Sequence, residues 1–453
     1  MDVLEEKIRM QASFAKGLNY ADIPEEAKVR ARWVILDSLG CIVKGLQGRA
    51  IGSDTEDNIL DIAVSMITTE LYEGNRKAVG HPACHILPLM LAEAEKKEVN
   101  WEQFVQIFTA AYEVASRWGA SVLFSHSVLG HGTVMTSGAV IAESLLQGIS
   151  EEDIYEALLL AGSLPNVSVW QSVFDGSQLH DAYAGLAAIT AKKAVRMEQQ
   201  GMRSTGKIVK SVYADVMGAV ITPEKLTAEL GEEYWLCSNY FKVHTGCRFV
   251  HPFADLLKEE LEAGLKKEDV SEIHVYTYKK AARLTDQRVP NDLAAKFSIP
   301  VSLAVQLEKG LLTPDTIRNC QDDEAVAKWE GHIWLHEDEE YNKLLPDVRG
   351  GRMEITLKDG SVLKREVFHA VGDFDNPQPY TEENLVAKFK ENTKEYMSAK
   401  EQDKLIQNVL TVPIKENAGK STGKSTEKSM RKSTEKSMSE ILSVFYKIIK
   451  KEN

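Results

Sequence analysis

Cysteine is scarce in this chain: five residues out of 453, at positions 41, 84, 237, 247 and 320, scattered and without a CxxC pair. Such an odd, dispersed set argues against a disulfide framework and fits the reducing cytoplasm. Long apolar runs are missing too, since no stretch approaches the roughly 20 residues that a membrane span needs. The first residues, Met1-Asp-Val-Leu-Glu-Glu-Lys7, lack the basic start and apolar core of a signal peptide. These absences predict a soluble cytoplasmic protein with no membrane contact. Positive charge is in deficit: 54 Lys and Arg face 67 Asp and Glu, for a formal net charge of −13. Residues 414–453 alone hold ten Lys/Arg against five Asp/Glu, so they carry +5 and the remainder −18. An acidic body speaks against nonspecific nucleic-acid binding, although a local basic pocket can still attract small anions.

What is present is an ordinary globular composition, 43% hydrophobic and 27% charged, long enough for a large core and two domains. Up to about residue 235 the apolar spacing is helical. Ile23-Pro-Glu-Glu26 reads as a helix start, and Val29, Trp33, Leu36 and Leu39 follow at helical intervals. Further helical runs cover 86–97, 101–118, 133–147, 151–163 and 182–200, several of them rich in Ala, Gly and Ser, as if their helices cross closely. Near Tyr240 the pattern changes. Ser271–Tyr278 alternates like a strand, and Met353–Leu357 and Val362–Val367 read as two strands around Lys358-Asp-Gly360. Helical runs at 249–263 and 296–309 lie between, and helical pattern returns from Thr381 to Val409.

The expected fold is therefore mainly α with α+β: a large all-helical domain (1–238, rejoined at 377–412) and a smaller α/β domain (239–376). Residues 413–453 make a separate segment. Its tetrads GKST, GKST, EKSM, RKST and EKSM at 419–438 are low in complexity and have little to bury. They miss the phosphate-loop pattern, since Gly419 and Gly423 enclose three residues instead of four and no strand precedes them. The closing stretch from Ile441 is amphipathic and suited to docking on the body or to binding a partner.

The densest chemistry lies between Glu70 and His85, where two carboxylates, two cations and two histidines share a loop punctuated by Gly74, Gly80 and Pro82. Such groups are costly to bury unless they pair or bind a ligand, and the stretch reads as one wall of a site for a small polar molecule. His81 and His85 have i, i+4 spacing, but there is no HExxH and Pro82 interrupts a shared helix face, which disfavours a metal. His81 is a candidate proton donor or acceptor, with a helix-capping role as the alternative. Glu70 and Glu73 either act as base or orient a histidine, or are plain solvated loop carboxylates. His131, flanked by Gly130 and Gly132, and His180, in Asp175-Gly-Ser-Gln-Leu-His-Asp181, each precede a small-residue helix. Either could face an anion or serve the turn, with Ser177 or Asp181 as a helix cap. Lys242 and Arg248 sit among Tyr240, Phe241, His244 and His251 and could hold carboxylates, or could belong to a basic surface. Cys247 reads as packing, and Ser298 in Lys296-Phe-Ser-Ile-Pro300 offers a hydroxyl or a helix start.

Taken in order, several segments resemble the 2-methylcitrate dehydratase family, often called MmgE/PrpD, which also includes cis-aconitate decarboxylases and iminodisuccinate epimerases. They are Ala31-Arg-Trp-Val-Ile-Leu-Asp-Ser-Leu-Gly40, Gly80-His-Pro82 with Leu87-Pro88, and Gly130-His-Gly-Thr133. Lys242 with Cys247, Lys296-Phe-Ser-Ile-Pro300, Asp359-Gly360, and Gly372-Asp373 with Asn376-Pro377 continue the series, so that it spans about residues 8–410. The resemblance implies a helical domain with an α/β lid, a homodimer, a site between the domains, and no organic cofactor or obligatory metal. It places His81, His131 and Lys242 on family site positions. Departures accompany it: Glu70 stands in for an Asp-rich stretch, His180 for a site lysine and Ile299 for a site tyrosine, which argues against simple cis-aconitate decarboxylation.

The resulting expectation is a lyase that dehydrates a small di- or tricarboxylate. His81 and His131 form the acid/base pair, Lys242 polarises a carboxylate, His180, Arg248 and Ser298 contact substrate, and Glu70 orients. Replacing Lys242 by Met should then abolish turnover at little cost in stability. An epimerase or racemase of an amino- or imino-dicarboxylate and a silent polycarboxylate-binding protein are the alternatives.

Overall fold

The computed structural model describes residues 2–411 and 437–450, apart from 53, 95, 98 and 126. The tetrad stretch up to residue 436 thus lies outside the described residues. Eight longer helices form the first part of the chain: α1 Val3–Gly17, α2 Glu25–Gly45, α3 Thr55–Thr68, α4 Pro82–Ala94, α5 Trp101–Ser121, α6 Thr136–Gln147, α7 Glu151–Gly162 and α8 Leu179–Gln199. Their ends follow local chemistry. Asn100 with Gln103 and Ser150 with Asp153 make reciprocal capping boxes at the starts of α5 and α7, and α6 stops at Gly148 in the left-handed conformation. The small residues do allow close crossing: a Cβ on Gly138 in α6 would fall 2.8 Å from the Ala111 carbonyl oxygen of α5.

Four two-residue strands, β1 Gly74–Asn75, β2 Val122–Leu123, β3 Val220–Ile221 and β4 Asn239–Tyr240, precede the second unit. That unit is a four-stranded sheet in the order β6-β5-β7-β8, with β5 Val270–Thr277, β6 Ile333–Glu337, β7 Gly351–Leu357 and β8 Val362–Val367. The β7–β8 hairpin forms at the expected turn, with Gly360 at φ +88°. Strand β6 pairs in parallel with β5 and was not anticipated. The sheet's buried face (Ile273, Val275, Met353 and Ile355) shares a core with α9 His251–Glu262 and α10 Ile299–Lys309. The expected run 296–309 is broken at Phe297–Ser298, because Ser298 caps a new helix whose second residue is Pro300.

Two hydrophobic cores result. One draws on Leu4 to Phe241 and again on Leu385 to Ile449, the other on Val173 and on Cys247 to Ile355. The fold is mainly helical with a smaller α/β part, as the sequence predicted. The chain returns to the first core through α11 Glu382–Thr393 and α12 Ala399–Leu410. The closing helix α13 Ser443–Lys450 then docks on the body: Tyr446 Oη donates to the Leu91 carbonyl at 2.9 Å and Phe445 and Ile449 are fully buried. Among the described residues no helix is long and apolar enough to cross a membrane.

Candidate active site

The loop between α3 and α4 carries the site, and other elements hold its backbone carbonyls. Lys296 Nζ donates to Thr68 O at 2.8 Å, Thr245 Oγ1 to Thr69 O at 2.5 Å and the Gly246 amide to Glu70 O at 3.0 Å. Lys388 Nζ, from α11, donates to Leu71 O at 2.7 Å. These bonds fix Glu70 at φ +46°, a left-handed conformation that costs a residue other than glycine roughly 1–3 kcal/mol. Past Glu70, β1 (Gly74–Asn75) pairs antiparallel with β4 (Asn239–Tyr240), which delivers Lys242 beside the loop. Gly74 must be glycine, because a Cβ there would lie 2.3 Å from Tyr240 Oη and 2.7 Å from His81 Nδ1. Reciprocal backbone bonds between Asn75 and Gly80 turn the chain back and bring His81 over Glu73.

At the centre lies a buried ion pair, Lys242 Nζ to Glu70 Oε2 at 2.8 Å. Tyr72 Oη donates to the other Glu70 oxygen at 3.2 Å, and the Lys242 ammonium sits 4.8 Å from the centroid of the Tyr72 ring. His180 Nε2 approaches Glu70 Oε1 at 3.9 Å, while its Nδ1 contacts Asp181 at 3.2 Å. Burial pushes the Glu70 carboxyl up, but Lys242, with His180 and His81, outweighs it and holds the group down at about 2.

Three more imidazoles gather here. His81 Nδ1 lies 2.7 Å from the Glu73 carbonyl, which can only accept, so Nδ1 bears the proton and Nε2 keeps its lone pair. Burial, with Lys242 nearby, pushes His81 down to about 3. His85 Nδ1 donates to the His81 carbonyl and its Nε2 accepts the Gly132 amide, both at 2.8 Å. It is thereby a clamp between α4 and the loop of His131. The His131 ring lies 5.0 Å from both His85 and His180, centroid to centroid. Its Nε2 is buried and has no hydrogen-bond partner among the described residues. Burial and the surrounding histidines hold His131 well below its ordinary value.

Residues 65–224 match the MmgE/PrpD N-terminal domain, and residues 244–412 match the MmgE/PrpD C-terminal domain. The chain belongs to the MmgE/PrpD family. A search of curated proteins returned no match. Glu70, His81, His131 and His180 all fall within the MmgE/PrpD N-terminal match, and Lys242 lies in the link between the two matched domains. The part of the chain in the C-terminal match reaches this cluster through Thr245, Gly246 and Lys296, which hold carbonyls of the site loop.

Two residues named from the sequence have different surroundings. Ser298 Oγ accepts the Val301 amide as the cap of α10 and donates its only proton to the Asp286 carbonyl, so its hydroxyl is engaged at the helix start. Arg248 pairs with Asp373 at 2.6 Å and stacks on Tyr240, as Lys242 pairs with Glu70. Cys247 packs as expected, its thiol pushed up to about 11 by burial. Cys84, His85 and His131 approach one another closely enough to suggest metal ligation. They fit a metal poorly: both His85 nitrogens are committed to backbone groups, and burial keeps the Cys84 thiol protonated.

Sequence reasoning missed Tyr72 and Lys388, and underrated Glu73. That carboxyl accepts the Ala83 amide at 3.0 Å and the Tyr112 hydroxyl at 2.9 Å, and burial raises it to about 8. Its place just before His81-Pro82 was the available signal. Lys388 lies 317 residues beyond Leu71, the residue it holds, and gave none.

Proposed function

We propose that this MmgE/PrpD protein is a lyase that removes water from a small di- or tricarboxylate, in the manner of a 2-methylcitrate dehydratase. The observation that carries the reading is the buried Glu70–Lys242 pair facing two neutral histidines, one with an unpartnered nitrogen. Elimination beside a carboxylate needs a base for the carbon-bound proton, an acid for the departing hydroxyl and a cation for the developing enediolate. His81, with its lone pair on Nε2, is assigned as base and His131 as acid. Lys242 holds the carboxylate whose charge grows as the proton leaves, while Tyr72 and His180 keep Glu70 in register. The electrons of the broken C–H bond form the alkene, and the hydroxyl departs with the proton of His131 as water. Burial leaves both imidazoles uncharged in the empty site. An arriving carboxylate raises the basicity of His131, which takes up a proton from solvent and so becomes the acid, while His81 beside the Lys242 ammonium stays neutral as the base.

The resemblance further supports a homodimer without organic cofactor, and the five scattered cysteines support a cytoplasmic setting. A second reading draws on the same pair: with Lys242 already matched by Glu70, a substrate carrying its own ammonium satisfies both charges. Proton removal and return would then epimerise an amino- or imino-dicarboxylate. Proton NMR in D2O, with EDTA, against hydroxy-, amino- and unsaturated polycarboxylates separates the two. A growing vinyl signal supports elimination, and deuterium entering beside a carboxylate without an alkene supports epimerisation. Silence across the panel refutes both and leaves a binding protein.

A further inference from the structure

The returning helix α11 packs against α2 behind the site loop, and one side chain crosses to it. Lys388 Nζ makes two contacts there: the Leu71 carbonyl at 2.7 Å and the Asp37 carboxylate of α2 at 2.5 Å. Asp37 is fully buried. Lys388 therefore supplies both the charge that Asp37 needs and a donor to the residue that follows the strained Glu70. From the α/β unit, Lys296 and Thr245 hold the two preceding carbonyls and the Gly246 amide holds that of Glu70 itself. From the helical side, the Glu70 amide donates to the Ile67 carbonyl of α3 at 2.9 Å, and Lys388 adds the side-chain anchor just beyond Glu70.

We infer that Lys388 is a positioning residue, which through Leu71 keeps Glu70 in its left-handed conformation and so keeps Lys242 paired and buried. Asp37 fixes the ammonium by pairing with it. Without that anchor the segment relaxes toward an ordinary backbone conformation, the Glu70 carboxylate swings away and the Lys242 ammonium becomes accessible. The inference rests on the proposed function only for its effect on turnover.

The test is trace labelling of the full chain with acetic anhydride, with the rate at each lysine read by peptide mass spectrometry. Lys388→Met alone strands a buried carboxylate and risks misfolding, so the informative variant is Asp37→Asn/Lys388→Met. The expected result is labelling of Lys242 at least tenfold faster than in the unaltered protein, with Lys388→Arg within threefold of it. Lys44 is the internal control. It is buried in α2, where it contacts Asp315 at 2.7 Å and Glu395 at 3.8 Å, so it reports any general departure of the returning segment. Its rate should not change. A Lys242 rate within twofold of the unaltered protein overturns the inference. So does equal acceleration at Lys44, and so does a Lys388→Arg rate matching the double variant. Labelling requires no substrate, so a protein inert toward every carboxylate offered would refute the lyase reading while leaving this inference to its own data.

Discussion

Replacing Lys242 by Met should cost both activity and stability, contrary to the expectation from sequence. The ammonium is fully buried and is the partner of a carboxylate that is itself 2% exposed. Removing one member of a buried pair costs roughly 3–5 kcal/mol, because the other charge is left without compensation. The carboxyl itself gives a similar figure. Glu70 held at about 2 instead of 4.5 represents roughly 3 kcal/mol of stabilisation, at about 1.4 kcal/mol per pH unit. Because its folded value is depressed, that stability is present above pH 4.5 and disappears as pH falls through 2. In the variant the carboxyl rises above its ordinary value, and the deficit then shrinks as acid protonates it. Urea unfolding followed by tryptophan fluorescence at pH 7 and pH 4.5 should show a large loss at the first pH and a smaller one at the second. Glu70→Gln/Lys242→Met should recover most of the loss at pH 7 and none of the turnover. A loss below about 1 kcal/mol at pH 7 in Lys242→Met would refute the buried pair.

The other expectations concern neighbouring groups. Glu73, raised to about 8, stabilises the protein below pH 4.5 and loses that contribution as pH rises from 4.5 through 8; Glu73→Gln should flatten this decline in a pH series of unfolding midpoints. Ser298→Ala should lower stability by about 1 kcal/mol through the lost cap of α10 and leave KM for any identified substrate unchanged, as measured by denaturant titration and steady-state kinetics. Phe445→Ala, in the docked closing helix, should cost roughly 3–5 kcal/mol by urea titration. A cost below about 1 kcal/mol would mean that α13 is not packed on the body in solution.

Much of this was legible in the chain because it depends on local spacing. Helical periodicity marked α2, α5 and α8, and alternation with Asp359-Gly360 marked the β7–β8 hairpin. Strand β6 escaped because a parallel partner carries no turn signal, and Trp334 and His336 broke the apolar pattern. In the site, the Gly-flanked and Pro-flanked histidines stood out, whereas Ser298 looked equally suited to a substrate or a cap, and only its bonds to Val301 and Asp286 established the cap.

The sequence by itself determined the mainly helical class, the change of character near Tyr240, the family, and the residue types gathered between Glu70 and His85. These follow from periodicity, turn residues and short motifs, which act over a few neighbouring positions. Only the tertiary structure decided that Lys242 is paired and buried, that Arg248 is already matched by Asp373, that His85 clamps a loop, and that Lys388 braces Glu70. Desolvation and Coulomb energy depend on what surrounds a charge in space, and residues 172 or 317 positions apart in the chain leave no trace of one another until it folds.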